Sequence, residues 1–113
     1  MKKEDPVNSK DIIEIGPASD NFCYAHMNKP PGIAYKLNGN LCSIVKITYR
    51  KYLSVIEISD DLNITRQGVY LNIRQLLSLN ILIKKDSRFT FNLKKFHLHG
   101  KNAVILFGDF LVP

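Results

Sequence analysis

Leu53-Ser54-Val55-Ile56-Glu57-Ile58-Ser59-Asp60-Asp61-Leu62-Asn63-Ile64-Thr65-Arg66-Gln67-Gly68-Val69-Tyr70-Leu71-Asn72-Ile73-Arg74-Gln75-Leu76-Leu77 contains two helix starts in close succession. Ser54 and Glu57 have the Ser-x-x-Glu spacing of a capping box, and Leu53 and Ile58 are placed to staple the same start. Val55, Ile58 and Leu62 then share one face of a short helix, while Glu57, Asp60 and Asp61 point to water. After a turn at Asn63-Ile64, Thr65 caps a longer helix whose apolar face is Val69, Ile73, Leu76 and Leu77. Asn80 suits a left-handed C-terminal cap. Ile81-Leu82-Ile83-Lys84 and Phe89-Thr90-Phe91-Asn92 read as strands joined through Lys85-Asp86-Ser87-Arg88. Helix, tight turn, helix and short hairpin make an α+β pattern.

Outward from this stretch the signals weaken. Upstream, the break Asn38-Gly39-Asn40 precedes a helical pattern of Leu41, Ile44, Val45, Thr48 and Tyr52, with Asn40 in the N-cap position. Pro30-Pro31-Gly32 is a strong turn signal. Asp11 to Ile15 alternates as a brief strand ended by Gly16-Pro17, and the first ten residues read as a loose polar tail. Downstream, Lys94 to Lys101 looks like a basic strand end and loop. Ala103 to Val112 is apolar except for Gly108-Asp109, which suits either a buried final strand or a dimerisation element. The expected organisation is a partly flexible N-terminal arm over 1–37, a domain over 38–95 and a C-terminal extension over 96–113.

A chain of 113 residues, 45% of them hydrophobic, fits one compact domain that needs no disulfides to hold its core. The net charge of +6 is unevenly spread: residues 44–95 hold ten Lys and Arg against four Asp and Glu, which accounts for the whole surplus. Cys23 and Cys42 are too few for a disulfide framework, and no apolar signal peptide precedes them. The longest apolar run, Ala103 to Phe107, is far short of the roughly 20 residues that span a bilayer. These features point to a reduced, cytoplasmic protein with no membrane segment.

The order of elements over Leu53 to Lys85 resembles the winged helix-turn-helix superfamily of transcription regulators. The apolar positions Ile58, Leu62, Ile64, Val69, Ile73, Leu76 and Ile81 match its usual pattern. Ile64-Thr65-Arg66-Gln67-Gly68-Val69-Tyr70 is similar to the start of a recognition helix in such regulators. The resemblance implies a three-helix core with a β-hairpin wing. It also implies a third helix lying in the DNA major groove, a wing on the backbone or minor groove, and a two-fold dimer. About half the chain stands outside it.

The residues support a DNA reading in their own right. Gln67, Leu71, Arg74 and Gln75 lie opposite the apolar face of the longer helix, with Gly68 and Tyr70 on its flanks. Arg pairs bidentately with guanine edges and Gln with adenine, so Arg66 and Gln67 in the first turn are the base-reading candidates. Thr65, with the open N–H groups of the helix start, suits a phosphate. Tyr70 suits a sugar or a thymine methyl, and Gly68 removes a side chain where helix and DNA would meet. Leu71 suits thymine methyls or a protein interface, and Arg74 a phosphate, which positions without specifying. Lys84, Lys85 and Arg88 on the hairpin would neutralise phosphates. The bland reading beside each is an ordinary polar helix surface, a Tyr covering the core edge, and a hairpin whose lysines discourage strand pairing.

Other chemistry has less support. Cys23, His26, His97 and His99 are potential zinc ligands, since His-x-His on a strand puts both rings on one side. The two pairs lie about seventy residues apart, however, so no metal or other cofactor is expected, and Cys23 reads as a small buried hydrophobe. No glycine-rich phosphate loop, clustered acids or Ser–His pairing suggests an enzyme. The expectation is therefore a sequence-specific double-stranded DNA-binding protein. It would be a homodimeric transcriptional repressor reading the major groove with its third helix, and any small-molecule effector is unknown. The alternative is a winged-helix protein–protein assembly module without DNA binding. A third reading has a ligand or metal sensor formed with the residues before Leu41.

Overall fold

The computed structural model describes residues 12–18 and 20–100. Among them are six strands and three helices in an α+β arrangement. Strands β1 (Ile12–Ile15), β2 (Phe22–Met27) and β3 (Ala34–Asn38) come first. Helices α1 (Asn40–Ile47), α2 (Val55–Leu62) and α3 (Arg66–Ser78) follow, then β4 (Leu82–Lys85), β5 (Arg88–Phe91) and β6 (Phe96–Gly100). Four strands form one sheet in the order β1-β3-β2-β6, and β4 and β5 form a separate hairpin.

Residues 12–37 and 96–100, which the sequence reading assigns to an arm and an extension, come together in that sheet, with Asn38 completing β3. β3 runs parallel to β1 with Ile12 opposite Ala34, and antiparallel to β2 with Cys23 opposite Leu37. β6 adds to the other edge of β2, with Ala25 opposite Leu98 and His26 opposite His97. Because side chains alternate along a strand, Cys23, Ala25, Leu37, Phe96 and Leu98 face inward and are buried. They belong to one cluster with Leu41, Ile44, Val45, Ile58, Val69, Ile73, Leu76, Phe89 and Phe91. The sheet and the helix–hairpin segment therefore share a single core.

The helix boundaries follow local chemistry. Asn40 begins α1 rather than capping it; the N-cap is Gly39, whose φ of 58° suits a residue without a Cβ. α1 ends at Ile47, so Tyr52 is exposed and off the helix. The Thr48 hydroxyl donates to the Ile44 carbonyl at 2.7 Å, and the Thr48 carbonyl accepts from the Thr90 hydroxyl at 2.9 Å, which ties this turn to β5. The capping box of α2 is complete: the Glu57 N–H donates to Ser54 Oγ and the Ser54 N–H to Glu57 Oε1. Asn63 closes α2 in the left-handed region, and Thr65 Oγ1 accepts from the Gly68 N–H to open α3.

At the far end of α3 the Ile81 N–H reaches the Leu76 carbonyl and the Asn80 N–H the Leu77 carbonyl, with Asn80 at φ 64°. This is a Schellman ending, and buried Leu76 and Ile81 supply its apolar contact. The hairpin turns at Asp86 and Ser87, both at positive φ, so Lys85 pairs with Arg88. Two positive-φ residues make the primed turn that matches strand twist. Each hairpin strand lies one residue nearer the turn than expected, at both of its ends. No helix among the described residues is long and apolar enough to cross a membrane.

Candidate nucleic-acid interface

Thr65, Arg66, Gln67, Tyr70, Leu71 and Arg74 are all exposed on α3, while Val69, Ile73 and Leu76 on its other side are buried. At 3.6 residues per turn, Gln67, Leu71 and Arg74 form one outward stripe. Arg66 and Tyr70 lie on the flank nearer the hairpin. There they line a groove of about 360 Å³ together with Val55 and Ile56 of α2 and Lys84 and Ser87 of the hairpin. Two cations and a phenol from different elements thus meet across one concave surface.

Gly68 is placed by the cap as much as by any ligand. A Cβ there would lie 3.2 Å from Thr65 Oγ1, crowding the hydroxyl that accepts the Gly68 N–H. The Gly68 carbonyl also accepts from Asn72 Nδ2 at 3.0 Å.

The hairpin cations divide by strand alternation. Lys84 stands opposite Phe89 on the face that turns to the core and the groove, whereas Lys85 and Arg88 stand opposite each other on the other face. Arg88 donates to Glu57 Oε1 at 2.7 Å and to the Tyr52 carbonyl at 3.3 Å. The Ser54 backbone N–H, with Arg88 adding to it, holds the Glu57 carboxyl below its usual range. Lys85 Nζ lies 6.0 Å from the centre of the Tyr52 ring. The structure therefore brings Arg66, Tyr70 and Lys84 together, and sets Lys85 and Arg88 apart from them beside Tyr52.

The sequence reading missed a second basic concavity of about 420 Å³, lined by Asn28, Lys29, Lys94 and Lys95 with Met27 and Pro30. The Lys94-Lys95 doublet was its one visible signal. The reading also left the histidines unconnected: the register of β2 and β6 brings His26, His97 and His99 together, with one ring nitrogen from each within 4.8 Å of the others. Cys23 is not among them. It is fully buried on the inner face, where a hydrogen bond to Cys42 and burial push its thiol pKa up.

Comparison with protein-family models, curated proteins and solved structures found no match to this chain.

Proposed function

We propose that this chain is a winged helix-turn-helix protein that binds double-stranded DNA as a homodimeric, cytoplasmic transcription regulator, repressing by occluding a promoter. In this reading α3 enters the major groove, Arg66 and Gln67 read base edges, and Arg74 and Lys84 engage phosphates. The observation that supports it is the convergence of Arg66 and Tyr70 with Lys84 across one groove beside the exposed start of α3. Lys85 and Arg88 take a lesser part, because Arg88 is already held by Glu57.

Fluorescence anisotropy with a random-sequence duplex at several salt concentrations tests the reading. Binding that weakens steeply with salt is expected, because each phosphate neutralised releases counterions. Absence of binding at low salt would overturn it.

A second reading has its own observation. Leu71 is 61% exposed, Tyr70 56% and Ile56 50%, an unusual set of large apolar surfaces on two neighbouring helices. A winged-helix assembly module would use them to dock a protein. Leu71→Lys separates the two readings: a docking module should lose its protein partner, whereas a duplex binder should keep or strengthen its salt-dependent affinity for random sequence, because the new cation can neutralise a phosphate.

A further inference from the structure

We propose that His26, His97 and His99 form a binding site for one divalent late first-row transition metal, with zinc as the natural probe. The site arises from pairing, not from a sequence motif. His26 on β2 stands opposite His97 on β6, and His99 lies two residues further along β6 on the same face. Ring centroids are 4.7 Å apart for His26 and His97, 4.6 Å for His97 and His99, and 5.8 Å for His26 and His99. Tetrahedral zinc with bonds of about 2.0–2.1 Å sets its ligands about 3.4 Å apart. Three nitrogens within 4.8 Å reach that spacing by small rotations of the rings.

The surroundings prepare the rings for a metal. Asn28 Nδ2 donates to the carbonyls of Leu93 and Lys94, at 3.4 and 3.3 Å, which fixes which end of its amide carries oxygen. That oxygen lies 2.6 Å from His97 Nδ1. His97 Nδ1 must then be the donor, which places the ring's lone pair on Nε2. A metal-bound histidine characteristically has its second nitrogen anchored in this way. His26 Nδ1 is buried and makes no hydrogen bond to the described residues.

Three imidazoles, with no carboxylate of the described residues in the cluster, favour a nitrogen-loving transition metal over calcium and magnesium, which need oxygen ligands. The thiols of Cys23, on the inner face of β2, and of Cys42, on α1, are buried in the core cluster and do not contribute. A bound metal would cross-link β2 to the edge strand β6.

The test uses the full chain without an affinity tag, stripped with a chelator and titrated with Zn2+ by calorimetry and with Co2+ by visible absorption. One equivalent of zinc and a tetrahedral cobalt spectrum are expected, together with a thermal midpoint raised by zinc. His26→Gln and His97→Gln, chosen over the more deeply buried His99, should each weaken binding by about 100-fold or more while the circular dichroism stays unchanged. Asn28→Ala should weaken it by about 10–100-fold, as for other groups that orient a ligand. No binding of zinc to the wild-type chain, or undiminished affinity in the His26→Gln/His97→Gln double variant, would overturn the proposal. DNA binding plays no part in these readouts.

Discussion

The start of α3 and the outer face of the β2–β6 pair are two concentrations of functional side chains built in opposite ways. On α3, Thr65, Arg66, Gln67, Tyr70 and Arg74 come from one continuous segment, and the periodicity of a single helix orients them. On the sheet, His26 meets His97 and His99 across about seventy residues of chain, and only strand register aligns them. A helical surface can be read from spacing alone; a cross-strand site exists only once the strands have paired. A one-residue slip would turn every histidine of β6 to the inner face.

The strongest challenge to this contrast is a core variant, because both regions stand on one hydrophobic cluster. Leu37→Ala, at a fully buried position of β3, should cost about 2–5 kcal/mol. Sheet and helices should still unfold together when urea melts are followed both by circular dichroism and by histidine NMR signals. Separate transitions would show that the two regions are energetically independent.

Next in size is the effect of variants on the proposed DNA face. Arg66→Ala or Gln67→Ala should lose about 1–3 kcal/mol on a cognate duplex and relax base preference. Lys84→Ala should weaken binding to all sequences and flatten the salt slope. All three should leave zinc binding intact. Equal, unspecific losses would remove α3 as the reader.

A different contrast separates the regions by pH. Burial, with the neighbouring imidazoles adding to it, holds the folded-state pKa values of His97 and His99 at about 3 and about 4, below the unfolded value of about 6.5. The unfolded chain therefore binds more protons between these limits, so stability is level above about pH 6.5 and falls as the pH drops toward 4 and then 3. Denaturant melts across this range should show the loss in wild type, and a reduced loss in His97→Gln.

The smallest effect is expected at Arg88. Its pair with Glu57 is exposed, so Arg88→Ala should change stability little, and should reduce DNA affinity less than Lys84→Ala does. A loss equal to that of Lys84 would place both hairpin faces on the duplex.

How far these features were legible in the sequence tracks how local they are. The capping box at Ser54 and Glu57, the Thr65 cap, the buried face of α3 and the left-handed Asn80 are each specified by residues within about one helical turn, and all appear in the structure. The differences were also local: Gly39 caps α1 in place of Asn40, Tyr52 falls beyond the end of α1, and the hairpin strands shift by one residue. Gly and Asn compete for such positions because both tolerate unusual backbone angles.

By itself, the sequence determined where α2 and α3 begin, how α3 ends, which face of α3 is polar and where the basic residues concentrate. Tertiary structure alone decided that residues 12–38 and 96–100 share a sheet, that Glu57 holds Arg88, and that three histidines converge. Capping and periodicity are satisfied within a few residues, so they leave a local pattern. Strand pairing closes long loops whose entropy depends only weakly on their length. The partner of a given strand is therefore chosen by how the whole core packs.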